Sequence, residues 1–86
     1  MDFDVFGIKI TSCEWYRDLV IKGDRSYDCP VITFFNAVFI DGIWDAVGKE
    51  ILCVEILERG LYKVQYRDEK NDTIFAAEKC ERIINN

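Results

Sequence analysis

The stretch EILCVEILERGLYKVQYRDEKNDTIFAA, residues 50–77, decides the fold class. In its central part, Tyr62, Val64 and Tyr66 alternate with polar residues, which is the period of a strand with one buried and one solvated face. The intervening ERG and DEKND are rich in residues that favour turns. The stretch therefore predicts an antiparallel meander of three strands, at residues 50–57, 61–67 and 73–77.

The first half of the chain is less regular. Strands are predicted at 3–10, 31–35 and 37–40, and Asp41–Gly42 predicts a two-residue hairpin turn. Residues 12–22 are ambiguous, because LVIK at 19–22 is a good strand sequence. However, Thr11 and Glu14 have the spacing of a helix capping box, so we favour a short helix near 12–22.

A glycine, a strand, an alternating aromatic strand, an acidic turn and a closing apolar pair follow one another in residues 48–84. The residues that carry this pattern are Gly48, Leu52, Val54, Tyr62, Val64, Tyr66, Asp68, Ile74 and Ile83. The segment resembles the small SH3-like barrels of the Tudor and KOW type. The resemblance implies binding of a methylated side chain in an aromatic cage, or of nucleic acid or its associated proteins.

The expected fold is a single domain over residues 1–86, mainly β, with α+β as the alternative. Its antiparallel meander curls into a small SH3-like barrel or half-barrel, with the short helix near 12–22 beside it.

Composition excludes several kinds of chemistry. The chain of 86 residues has no histidine, so histidine-dependent nucleophilic and acid–base catalysis is excluded. Its four cysteines are widely spaced, so free thiols are expected rather than a metal site, with disulfides as the alternative. The acidic pairs lie in predicted turns, where carboxylates ordinarily accept backbone hydrogen bonds. We therefore expect no enzyme, catalytic residue, metal or cofactor.

The net charge of −5 argues against direct binding of nucleic acid or an anionic membrane. It permits a protein partner with a basic surface. The aromatic residues exceed what one face of a small sheet must bury, and an aromatic excess at the surface marks interfaces. The interface candidates are Trp15, Tyr16, Phe35 and Trp44.

The favoured function is a non-enzymatic protein-binding module, such as a small acidic inhibitor or regulator of viral or mobile-element type that occupies a basic site. One alternative is a Tudor- or KOW-like reader, with Arg17, Lys22, Arg25, Lys63 and Arg67 as phosphate contacts. Another is a small enzyme that uses carboxylates or a thiol, for which Cys13 in the first turn of the expected helix is the reactive candidate.

The sequence leaves the oligomeric state undecided, and a homodimer is one of the alternatives. Because Met1 is followed by acidic residues, a cytoplasmic location is expected, in the host cytoplasm if the protein is viral.

Overall fold

The computed structural model describes residues 5–85, with side chains up to residue 83. It contains two four-stranded antiparallel sheets, with strand orders β1-β2-β3-β8 and β4-β7-β6-β5. The strands are β1 Lys9–Tyr16, β2 Asp18–Asp24, β3 Cys29–Phe35, β4 Val38–Gly42, β5 Ile51–Glu58, β6 Leu61–Tyr66, β7 Thr73–Ala76 and β8 Lys79–Asn85. The mainly β, antiparallel fold is confirmed, and β5, β6 and β7 form the expected meander.

The prediction of a short helix near 12–22 is wrong. These residues form β1, a turn at Arg17 with a positive φ of 62°, and β2. Leu19 and Ile21 alternate with more exposed neighbours and are buried between the sheets, so the two-residue period outweighs the capping signal. The Thr11 hydroxyl, expected to cap a helix, instead donates to the carbonyl of Lys22 across the β1–β2 pair.

Two further boundaries differ from expectation. The first strand begins at Lys9 rather than at residue 3, and residues 3 and 4 lie outside the described part of the chain. The prediction of a hairpin turn at Asp41–Gly42 is also wrong, because β4 continues through Gly42, which pairs with Thr73 of β7. A Cβ on Gly42 would lie 1.7 Å from the carbonyl oxygen of Asp72, so glycine permits a close approach of two backbones there.

The two sheets share a long, bent strand pair. β3 pairs with β8 in the first sheet, and their continuations β4 and β7 pair in the second. The bend on one strand lies at Asn36, which has a φ of 52°. At the opposite side, the Ile10 amide donates to Lys49 O (2.9 Å) and the Ile51 amide donates to Ile8 O (2.8 Å). The sheets therefore wrap around one core, but the expected barrel is not closed.

The core lies between the sheets and is centred on aromatic rings. Phe34 of β3 packs edge-on against Phe75 of β7, with ring centroids 4.7 Å apart, and Tyr62 stacks on Phe75 at 5.6 Å. Tyr62, Val64 and Tyr66 are buried, as their alternation predicted. Each fully buried large apolar side chain contributes about 1.5–3 kcal/mol relative to an exposed one. The part of the chain described contains no helix long and apolar enough to cross a bilayer.

Candidate protein-binding surface

Exposed apolar side chains concentrate in β4 and in the loop that follows it. Val38 is 63% exposed, Ile40 53%, Trp44 54% and Val47 51%. We call these four side chains, together with the exposed carboxylates of Asp41 and Asp45, the Trp44 surface. Because a contiguous run of the chain places so much apolar area in water, this region has the composition of an interface.

A β-bulge interrupts the pairing of β4 with β7 at Ile40. Phe39 and Asp41 each face a residue of β7, whereas Ile40 between them is the extra residue in the register. Phe39 has its ring on the core side, edge-on to Trp15 at 5.5 Å. Ordinary alternation places Val38 and Ile40 outward on either side of Phe39, and the bulge leaves Asp41 exposed as well.

The loop after β4 is held from beneath by side chains of the core. Ile43 donates its amide to Asp72 O (3.0 Å), and its carbonyl accepts from the Thr73 hydroxyl (2.7 Å). Because that contact uses the only proton of Thr73, the Tyr66 hydroxyl, 2.5 Å away, donates to Thr73. Two buried hydroxyls thus link the core to the loop, and they fix the backbone next to Trp44.

Trp15 holds Trp44 directly. The Trp15 indole Nε1 donates to the carbonyl oxygen of Trp44 (2.7 Å), and the two rings stack at 6.5 Å with an interplanar angle of 17°. Trp15 also contacts Phe75 edge-on at 5.7 Å, so a column of rings runs from the core to the surface. Buried Ala46 anchors the far side of the loop. Trp44 is therefore fixed through its backbone carbonyl, and its exposed indole has the Trp15 ring on one side.

The Trp44 surface is acidic. Residues 37–48 contain Asp41 and Asp45 but no lysine or arginine. The Asp41 carboxylate accepts from the Gly42 amide (2.8 Å), and the Asp45 carboxylate accepts from the Val47 amide (3.1 Å). These local contacts orient both carboxylates without placing a positive side chain beside them, so the apolar surface has a negative rim.

Three of the four interface candidates lie in this region. Trp44 is at its centre, and Trp15 lies beneath. Tyr16 is exposed. It lies at the border of the surface, because the carbonyl of the next residue, Arg17, accepts a hydrogen bond from the Ala37 amide immediately before β4. The fourth, Phe35, lies beyond it on β3, where the Lys79 ammonium is 5.0 Å from its ring centroid. The exposure of Val38, Ile40 and Val47 had no signal in the sequence, since apolar runs ordinarily predict burial.

The five phosphate-contact candidates do not form one basic face. Arg17 lies in the β1–β2 turn and Lys22 on the outer face of the first sheet. The other three are in ion pairs: Arg25 with Asp28 (2.6 Å), Lys63 with Glu55 (3.4 Å) and Arg67 with Glu50 (2.7 Å). Arg25 is buried, since its side chain is only 5% exposed. Likewise, a methyl-ligand cage made of Tyr62 and Tyr66 would require exposed rings, and both are buried.

The structure removes the reason for expecting a reactive Cys13. This residue lies in β1 rather than in the first turn of a helix, so no helix dipole favours its thiolate. Burial raises the pKa of the Cys13 thiol and outweighs the hydrogen bond to the Ala46 backbone, which lowers it; the charge of Asp45 raises it by a smaller amount. Burial also raises the pKa of Cys80 to about 11. All four cysteines are free thiols.

A concavity of about 280 Å³ lies where β1 approaches β5. Its lining includes Lys49, paired with Glu69 (3.0 Å), and Arg67, paired with Glu50. Because its charges largely neutralise one another, this concavity has no preference for an anion or a cation. Within residues 5–83, no group of three or more metal-ligating side chains is brought together.

Comparisons with protein-family models, with curated proteins and with solved structures find no match to this chain.

Proposed function

We propose that this protein is a non-enzymatic protein-binding module, and that the Trp44 surface docks onto a basic site of a larger protein. The observation that supports the proposal is the fixation of Trp44, whose backbone is held by Trp15 and whose neighbour Ile43 is held by Asp72 and Thr73. A large aromatic side chain fixed at the surface loses little entropy on binding, which is why tryptophan is enriched among the residues that dominate interface energies.

The charge of the surface selects the class of partner. Asp41 and Asp45 flank Trp44, and no lysine or arginine of residues 37–48 offsets them. A partner that surrounds an apolar pocket with lysine and arginine would be complementary, and complementary charge mainly accelerates association and excludes wrong partners. An acidic inhibitor or regulator of a protein with a basic functional site, as found in viruses and mobile elements, fits this chemistry.

The test is affinity purification from the native host with three baits: the wild-type chain, Trp44→Ala and Tyr27→Ala. Tyr27 is also an exposed aromatic residue, but it lies in the β2–β3 connection beside Arg25. We expect the wild type and Tyr27→Ala to retain the same partner, and Trp44→Ala to lose it. Capture should weaken as salt is raised, because the rim is charged.

Equal capture by all three baits, or no specific capture, would contradict the proposal. The mass of the free wild-type chain, measured by size exclusion with light scattering, shows whether a second copy covers the same surface. If Trp44→Ala converts a dimer to a monomer, the partner is this chain itself, and the proposed basic partner is wrong.

A further inference from the structure

The chain covers several of its own surface aromatic rings with cations. The three pairs are Arg67 with Phe6 at 5.7 Å, Arg25 with Tyr27 at 4.7 Å and Lys79 with Phe35 at 5.0 Å from cation to ring centroid. Within the described side chains, neither of the exposed rings of Tyr16 and Trp44 has such a cation. This difference is informative because indole attracts cations more strongly than the rings of tyrosine or phenylalanine.

We propose that the partner covers Trp44 with an arginine side chain, and that its guanidinium lies on the open face of the indole between Asp41 and Asp45. The inference rests on the proposed function and deepens it, because it names the chemical group by which a basic partner is held. It predicts that arginine binds this surface better than lysine does.

The geometry of the surface favours a flat cation. The Trp15 ring lies near-parallel to the Trp44 indole on one side, with centroids 6.5 Å apart, so a ligand has freer access to the opposite face. Guanidinium is planar, stacks on aromatic faces and is less strongly hydrated than an ammonium group. Its N–H groups point outward in the plane and form strong hydrogen bonds with carboxylates. Asp41 and Asp45 supply exposed carboxylates three positions before and one position after Trp44 in the chain.

Local hydrogen bonds orient the carboxylates of Asp41 and Asp45. Each accepts one local backbone hydrogen bond, from Gly42 to Asp41 and from Val47 to Asp45, through its Oδ1 atom. The second oxygen of each carboxylate remains available to a ligand. Because neither carboxylate is in an ion pair with a described lysine or arginine, a guanidinium would displace no internal partner.

The probes for a direct test are three acetylated and amidated tripeptides, Gly-Arg-Gly, Gly-Lys-Gly and Gly-citrulline-Gly. Each is titrated into the ¹⁵N-labelled chain, and the two indole N–H signals are followed by NMR after assignment with Trp44→Phe. We expect the arginine peptide to shift the Trp44 indole signal and the amides of residues 41–47 in a saturable manner. Citrulline, which keeps the shape but lacks the charge, should bind at least about threefold more weakly.

Matched variants distinguish the effect of these two carboxylates on binding from the effect of the overall charge of the chain. Asp41→Asn and Asp45→Asn should each weaken binding of the arginine peptide by about two- to threefold. Asp68→Asn removes the same charge in the β6–β7 turn and should leave binding unchanged, and asparagine tolerates the positive φ of 56° there. Trp44→Leu, which keeps an apolar side chain, should abolish the selectivity for arginine over citrulline.

The inference is overturned if the lysine or the citrulline peptide binds as well as the arginine peptide, or if the shifts centre outside residues 37–48. It is also overturned if a host protein is captured through Trp44 but equally well by the Asp41→Asn and Asp45→Asn chains, in which case the proposed function stands without it. If the arginine peptide binds as described but no host protein is captured through Trp44, the arginine site stands and the proposed function fails.

Discussion

Thr73→Val tests how the core positions the Trp44 loop. The substitution keeps the shape of the side chain and removes the hydroxyl that connects Tyr66 to the carbonyl of Ile43. Loss of the bond to Ile43 costs about 1 kcal/mol, and the Tyr66 hydroxyl, buried without a partner, costs about 1–3 kcal/mol more. We therefore expect the free energy of unfolding to fall by about 2–4 kcal/mol, a large part of the roughly 4–13 kcal/mol typical of a chain this size.

Urea unfolding followed by tryptophan fluorescence measures this loss. Tyr66→Phe leaves the contact between Thr73 and Ile43 intact and should cost only about 1 kcal/mol, while Thr73→Ser keeps the hydroxyl and serves as the control. The double variant Thr73→Val/Tyr66→Phe should cost less than the sum of the two single changes, because no buried hydroxyl is left unpaired. Additive single changes, or a cost of Thr73→Val below about 1 kcal/mol, would refute the hydroxyl chain as the support of the loop.

Three other predictions concern the backbone and the dependence of stability on pH. Gly42→Ala should lower the free energy of unfolding by at least about 3 kcal/mol, because its Cβ would overlap Asp72 O. Gly48 has a similar φ but open space around it, so Gly48→Ala should cost about 1–2 kcal/mol. Equal losses would contradict the close approach of the two backbones at Gly42. The hydrogen bond from Arg25 lowers the pKa of Asp28 below 3.8, so this carboxylate stabilises the fold above that pH, and the contribution is lost as pH falls through the lower, folded pKa. In Asp28→Asn, the free energy of unfolding should therefore fall less steeply with decreasing pH. An unchanged slope would disprove the assignment. Burial raises the pKa of Tyr66 from 10.0 to about 12, so stability should fall between pH 10 and 12, and Tyr66→Phe should reduce that fall when unfolding is followed by circular dichroism.

The second half of the fold could be predicted because its local patterns agree with its environment. Tyr62, Val64 and Tyr66 alternate with polar residues, and β6 is an inner strand of its sheet, with one face on the core. The first half could not, because the capping signal of Thr11 and Glu14 favours a helix near 12–22, whereas Leu19 and Ile21 have the spacing of one strand face. Their pairing with β3, which is distant in sequence from the capping signal, decides the outcome.

The candidate surface was only partly predictable for a similar reason. Trp15 and Trp44 were identifiable as excess aromatic residues, but their stacking depends on two strands that meet through the tertiary fold. Ile40 and Val47 could not be identified, because an apolar residue carries no mark that it will be exposed. The bulge at Ile40, after which Asp41 is exposed as well, exists only in the pairing of β4 with β7.

The bent pair formed by residues 29–42 and 73–85 has a consequence for how the protein denatures. Each of its two long strands begins in one sheet and ends in the other, so neither sheet can separate without breaking the ladder of its neighbour. The two sheets should consequently melt as one cooperative unit, with a calorimetric enthalpy equal to the van't Hoff enthalpy. Hydrogen exchange should then show similar protection in Ile32 of the first sheet and Val64 of the second, because both amides open only when the whole molecule unfolds.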